Sequence, residues 1–223
     1  LHLEDYHALW AWSVREPGAF WEAIMTFSGV ESPTPWRSAL EDARMPGSVW
    51  FPGATLNYTA HAMRHVRPGR TAIRREAEDG TLTELDWETL RDRTAAVAAG
   101  LAALGVARGD RVVGYLPNTP DTIVAFLATV SLGAVWSLCA PDMGAATVLE
   151  RFRQIEPKAI VTASGYAFGG KWRDRSAEVS ELLAGLPTLA AWISMDTAEN
   201  VDGGSLARTD WARLLSSPDR AEP

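Results

Sequence analysis

The sequence predicts an α/β fold: an open, mostly parallel sheet wound with helices on both faces, preceded by a helical N-terminal extension and an arm. Three observations predict it. Short, continuously apolar runs recur at Arg111–Leu116, Ala134–Cys139, Ala159–Ala163 and Leu189–Met195. Strands buried on both faces need that pattern, whereas half-exposed strands alternate. Between the runs lie stretches with helical spacing of apolar residues, at Pro120–Leu132, Ala145–Ile155 and Ser176–Leu186. The punctuation agrees, with Pro120 at a first turn and Gly133 just past an end, positions that suit proline's fixed φ and glycine's freedom. Strand–helix alternation implies right-handed crossovers. These put every strand-to-helix loop on one edge of the sheet, where ligands of open α/β sheets bind.

Taken in order, residues 1–28 read as helix. Leu3, Tyr6, Leu9 and Trp10, then Phe20, Trp21, Ile24 and Phe27, recur at three- and four-residue steps, with a break at Pro17-Gly18. Residues 29–56 lack sustained periodicity and hold Pro33, Pro35, Pro46 and Pro52; they predict an extended arm anchored by Trp36, Trp50 and Phe51. A short helix follows from about Tyr58 to His65. Thr71–Glu76 and Thr81–Leu85 flank Glu78-Asp79-Gly80, a hairpin pattern in which glycine accepts the positive φ of the turn. Asp86 is placed to cap a helix beginning at Trp87, whose apolar line (Trp87, Leu90, Val97, Leu101, Leu104) ends at Gly105. The expected organisation is therefore a helical extension and arm over 1–68, an α/β subdomain over 69–195, and a polar linker or tail over 196–223. A chain that opens within an amphipathic pattern and ends on a polar stretch after four apparent strands reads as part of something longer, whose remainder would cover the sheet edge.

Composition narrows the function classes. The 223 residues carry a net charge of −7, which opposes broad binding to nucleic acid or an anionic membrane while leaving room for one local basic pocket. Hydrophobic residues make up 47%, but charge interrupts every apolar run before it reaches bilayer length. Leu1-His2-Leu3-Glu4-Asp5 has neither a basic n-region nor an apolar h-region, so it does not read as a signal peptide. The single cysteine, Cys139, precludes an internal disulfide, sits in an apolar run, and reads as an inert core thiol in a reducing cytoplasm.

Most motif candidates have a plain structural explanation. His61 and His65 share the four-residue spacing of paired metal ligands, but no glutamate follows His61 and no third ligand stands out. Glu41-Asp42 and Glu78-Asp79 read as solvated turn charges. Ser164 follows a strand, yet Thr162 stands where a nucleophile elbow needs glycine. The strand ending at Leu116 runs into Pro117-Asn118 rather than a glycine-rich dinucleotide fingerprint. These residues predict no catalytic group and no metal site.

The stretch Tyr166-Ala167-Phe168-Gly169-Gly170-Lys171-Trp172-Arg173 is different. It lies in the loop Ser164–Arg175 at the expected ligand edge. Backbone N–H groups around two glycines can form an anion nest, and Lys171, Arg173 and Arg175 stand nearby. Only Lys158 and Lys171 represent lysine in the chain. It is not the loop of the nucleotide hydrolases, since Trp172 replaces the magnesium-binding hydroxyl. On spacing alone, an ordinary Gly-Gly turn with solvated charges is the better account, and the loop by itself is a weak signal.

Several stretches together resemble the acetyl-CoA/acetoacetyl-CoA synthetase branch of the AMP-forming, adenylate-forming enzymes. They are Trp50-Phe51-Pro52-Gly53-Ala54-Thr55-Leu56-Asn57-Tyr58, Leu104-Gly105-Val106 with Gly109-Asp110-Arg111-Val112-Val113, Leu116-Pro117-Asn118-Thr119-Pro120, Leu132-Gly133-Ala134-Val135-Trp136-Ser137, and Arg151-Phe152-Arg153-Gln154-Ile155-Glu156-Pro157-Lys158. The resemblance runs from about residue 3 to 195 and covers the first portion of such an enzyme. The last of these stretches and the Gly165-to-Lys171 loop look most like the acetoacetyl-CoA branch. Met143 departs from the usual aromatic, and Thr59-Ala60-His61 from the usual residues after Asn-Tyr.

The resemblance implies an acid–CoA ligase joining acetoacetate, ATP (with Mg2+) and coenzyme A through an acyl-adenylate. It implies that Phe168, Gly169, Gly170 and Lys171 lie at the phosphate end of coenzyme A, with Ala140, Pro141 and Asp142 by its adenine. Lys171 would pair with a phosphate, and Phe168 replaces an arginine of the acetyl branch. The family's phosphate loop ending in Pro-Lys and its catalytic lysine are not among these residues, so the chain alone is expected to make no adenylate. A sibling using acetate or propionate, and a non-catalytic α/β binding module, stay open at this point.

Overall fold

The computed structural model describes residues 4–221, so residues 1–3 of the first predicted helix and the last two residues of the predicted tail lie outside the described residues. Two units emerge, one ending at Asn57 and one beginning at Tyr58. In the first, Asp5 caps α1 (Tyr6–Arg15), its carboxylate accepting from the Ala8 N–H at 2.8 Å. Pro17 opens α2 (Pro17–Phe27) at the predicted break. The arm pairs with itself through β1 (Leu40–Asp42) and β2 (Val49–Trp50), antiparallel with Leu40 opposite Trp50. Of the predicted anchors, Trp36 meets Phe51 edge-on at 5.7 Å and Trp50 meets Trp21 at 6.4 Å. Edge-to-face packing of this kind suits aromatic quadrupoles.

The second unit opens with α3 (Tyr58–Met63), where the fully buried Thr59 donates to the Leu127 carbonyl at 2.7 Å. β3 (Thr71–Glu76) and β4 (Leu82–Asp86) form the predicted hairpin, and Gly80 takes φ +80° at its turn. Asp86 caps α4 (Trp87–Ala103) by accepting from the Thr89 N–H at 2.7 Å. Then follow β5 (Arg111–Tyr115), α5 (Pro120–Ser131), β6 (Val135–Cys139), α6 (Ala145–Arg153) and β7 (Ala159–Thr162). Here the chain departs from the sequence reading. The segment read as a loop is an antiparallel ribbon, β8 (Gly165–Phe168) and β9 (Lys171–Asp174). After α7 (Ser176–Gly185) and β10 (Ala191–Ser194), the stretch expected to be a polar linker supplies β11 (Arg208–Asp210) and α8 (Trp211–Ser216).

The main sheet therefore has five strands rather than four, all parallel, in the order β11-β10-β7-β5-β6. Its side chains alternate faces, as the period of two requires. Val112, Val161 and Ile193 enter one core with Val97 and Leu101 of α4, Val124 of α5, and Trp211 and Leu214 of α8. Val113, Tyr115, Ile160 and Trp192 enter the opposite core with Val148, Phe152, Val179 and Leu182 of α6 and α7. Burying each of these large side chains contributes about 1.5–3 kcal/mol. The sheet edges differ in character. β11 presents Arg208, Thr209 and Asp210, whereas β6 leaves Val135 and Leu138 exposed.

Candidate functional site

The strand order reverses between β5 and β7, since β5 leads to β6 on one side and β6 leads back across to β7 on the other. At such a switch point the two loops leave in opposite directions and open a crevice at the carboxyl edge. The candidate segments leave this edge from the strands on either side of β5, Ala140-Pro141-Asp142 after β6 and the β8–β9 ribbon after β7.

Tyr115, the last residue of β5, is fully buried. Its hydroxyl lies 2.8 Å from the carbonyls of Pro141 and Met143, to which it is the donor. Burial pushes its pKa up to about 12, against the opposing pull of Arg175, so it keeps its proton and holds the turn after β6. Within that turn Pro141 is buried, while Ala140 and Asp142 are exposed.

In the ribbon, Phe168 pairs with Lys171, leaving Gly169 and Gly170 as a two-residue turn with φ of +62° and +67°. Two successive left-handed residues are the geometry of a type I′ hairpin turn, which glycine enters without steric penalty. Both N–H groups face one carboxylate: Gly169 donates to Glu78 Oε1 at 3.0 Å and Gly170 to Glu78 Oε2 at 3.2 Å. Glu78, read from the sequence as a solvated turn charge, is therefore bonded to the glycine pair. Each carboxylate oxygen accepts one glycine N–H, and paired backbone donors of this kind are suited to small oxyanions.

Phe168, Lys171, Trp172 and Arg173 are exposed. Arg175, expected beside the glycines as a further cation, is turned elsewhere. Its guanidinium lies 5.6 Å from the Tyr166 ring centre and 2.7 Å from Glu178 Oε1, and hydrogen bonding to Tyr166, then to Glu178, holds its pKa above the ordinary value. Lys158, the other lysine, has a structural role. It donates to the Gly105 carbonyl at 2.6 Å and to Asp110 Oδ2 at 2.8 Å, and the bond to Asp110 is the main reason that the Asp110 pKa is lowered. Ser164 is likewise structural, its N–H donating to Asp196 at 2.7 Å. The rings of His61 and His65 lie 6.3 Å apart, and among the described residues no group of three metal-binding side chains gathers.

The family model for AMP-binding enzyme matches residues 60–218, and that for the acetyl-coenzyme A synthetase N-terminus matches residues 6–62. The chain belongs to the AMP-binding enzyme family. Acetoacetyl-CoA synthetase from Macaca fascicularis is 36% identical over 85% of this chain and 29% of its own length. Acetoacetyl-coenzyme A synthetase from Rhizobium meliloti is 37% identical over 90% of this chain and 31% of its own. Acetoacetyl-CoA synthetase from Streptomyces lividans superposes with a TM-score of 0.91 at 44% identity, covering 97% of this chain and 33% of that structure. The chain thus spans about a third or less of the length of these family members.

Proposed function

We propose that this chain is the N-terminal portion of an AMP-forming acid–CoA ligase acting on acetoacetate, and that it carries the seat for the nucleotide end of coenzyme A. The observation that carries the reading is the Gly169–Gly170 turn, whose two N–H groups already hold a bidentate carboxylate at 3.0 and 3.2 Å. A phosphate oxygen pair satisfies the same donors, and the exposed Lys171 adds a charge-assisted bond suited to phosphate. Ala140, Pro141 and Asp142 form the second wall, for the adenine, held in place by the Tyr115 hydroxyl. Acetoacetate is favoured as the acyl substrate by the names of the relatives above.

In this reading the chain's own residues bind and orient the thiol donor. ATP activation, with its Mg2+, belongs to residues outside these 223. Further chain would cover the β6 edge, where Val135 and Leu138 are exposed. Among the described residues no helix is long and apolar enough to cross a membrane. The test is pyrophosphate release by the complete polypeptide with acetoacetate and with acetate. Release with acetoacetate in preference to acetate is expected, and release with neither contradicts the proposal.

A further inference from the structure

Glu78 and the glycine turn meet tip to tip, from hairpins 91 residues apart in sequence. The β3–β4 tip is internally tied: Gly80 N–H donates to the Ala77 carbonyl at 2.9 Å, and Thr81 N–H to Asp79 Oδ1 at 2.9 Å. Asp79 is thereby used within its own turn, leaving Glu78 as the acid that reaches across. Each Glu78 oxygen takes one glycine N–H. Both tips are exposed, so water and salt weaken the contact, and a change of the Glu78 side-chain rotamer alone releases it.

We propose that Glu78 is a built-in competitor for the anion seat, a carboxylate that an incoming phosphate must displace. The inference rests on the coenzyme A reading for the identity of that phosphate, but not for the existence of the seat. A phosphate has the advantage in the exchange because it brings more charge and a third oxygen, and Lys171 is nearby on the ribbon to bind it. The competitor lowers apparent affinity by the fraction of time it holds the seat and excludes weaker, singly charged anions. Glu78 thereby sets selectivity as well as affinity.

The test compares the chain with its Glu78→Gln and Glu78→Ala variants. Backbone amide NMR without added anion reports the contact: both substitutions are expected to shift the Gly169 and Gly170 amide signals. Unmoved signals overturn the proposal. Calorimetric titration with coenzyme A, and separately with inorganic pyrophosphate, reports competition. Both variants are expected to bind about 3- to 10-fold more tightly, as removing a competitor that holds most of the seat requires. Unchanged or weaker binding of both anions overturns the proposal. Tighter pyrophosphate binding with no coenzyme A binding by any form upholds the competitor and contradicts the coenzyme A reading.

Discussion

At the scale of single residues, the proposed site divides its work between the charge of Lys171 and the position set by Tyr115. Lys171 is expected to act only on the anion. Lys171→Glu in the complete polypeptide should raise the apparent KM for coenzyme A by about 10-fold or more, the loss of one charge-assisted bond and its replacement by repulsion. Acyl-adenylate formation should stay nearly unchanged in the same assay. Equal loss in both half-reactions would instead mark a folding role. Tyr115 acts through the turn it holds. Its folded pKa of about 12 exceeds the ordinary value of 10.0, so the folded state keeps a proton that the unfolded chain releases. The stabilisation is complete below about pH 10 and is lost as pH rises towards 12. Tyr115→Phe should therefore be less stable than the parent at about pH 8, with the gap narrowing by about pH 11, measured as urea midpoints.

At the scale of elements, what the sequence revealed depended on burial. Strands β5, β7 and β10 are buried at nearly every position, and their continuous apolar runs announce them. The capped helices are equally visible, because Asp86 makes the predicted cap bond and Pro120 stands in the first turn of α5 as expected. The β8–β9 ribbon left no such imprint, since six of its eight residues are exposed and no buried face imposes alternation. Its turn was nonetheless written in the sequence, for Gly-Gly between short runs is a type I′ signal. Gly170→Val places a β-branched residue at φ +67° and should open the ribbon. The Phe168–Lys171 cross-strand amide contacts would be lost in NMR, with about 1–2 kcal/mol of local strain.

At the scale of the whole molecule, the polar tail is the instructive difference. β11 is an edge strand of Arg, Thr and Asp that joins β10 through backbone pairing, so hydrophobicity gave no cue. Its helix α8 did carry one, in Trp211 and Leu214 three apart, both buried against the α4 side of the sheet. Trp211→Ala should cost about 3–5 kcal/mol through lost burial and the cavity left behind, measured by chemical denaturation. A change within about 0.5 kcal/mol, the range of ordinary surface substitutions, would show that the tail is no part of the fold. The motifs that mark the family are spread over both units, whereas Glu78 at the glycine turn is a long-range contact that no local pattern encodes.

The central claim is that the glycine turn seats the phosphate end of coenzyme A. The most direct measurement is a titration of the isotopically labelled chain, following the Gly169 and Gly170 amide signals with coenzyme A and, in parallel, with pantetheine, which lacks the nucleotide. Saturable movement of both signals with coenzyme A and none with pantetheine is the predicted result. Signals that coenzyme A leaves in place, or that pantetheine moves equally, would contradict the account.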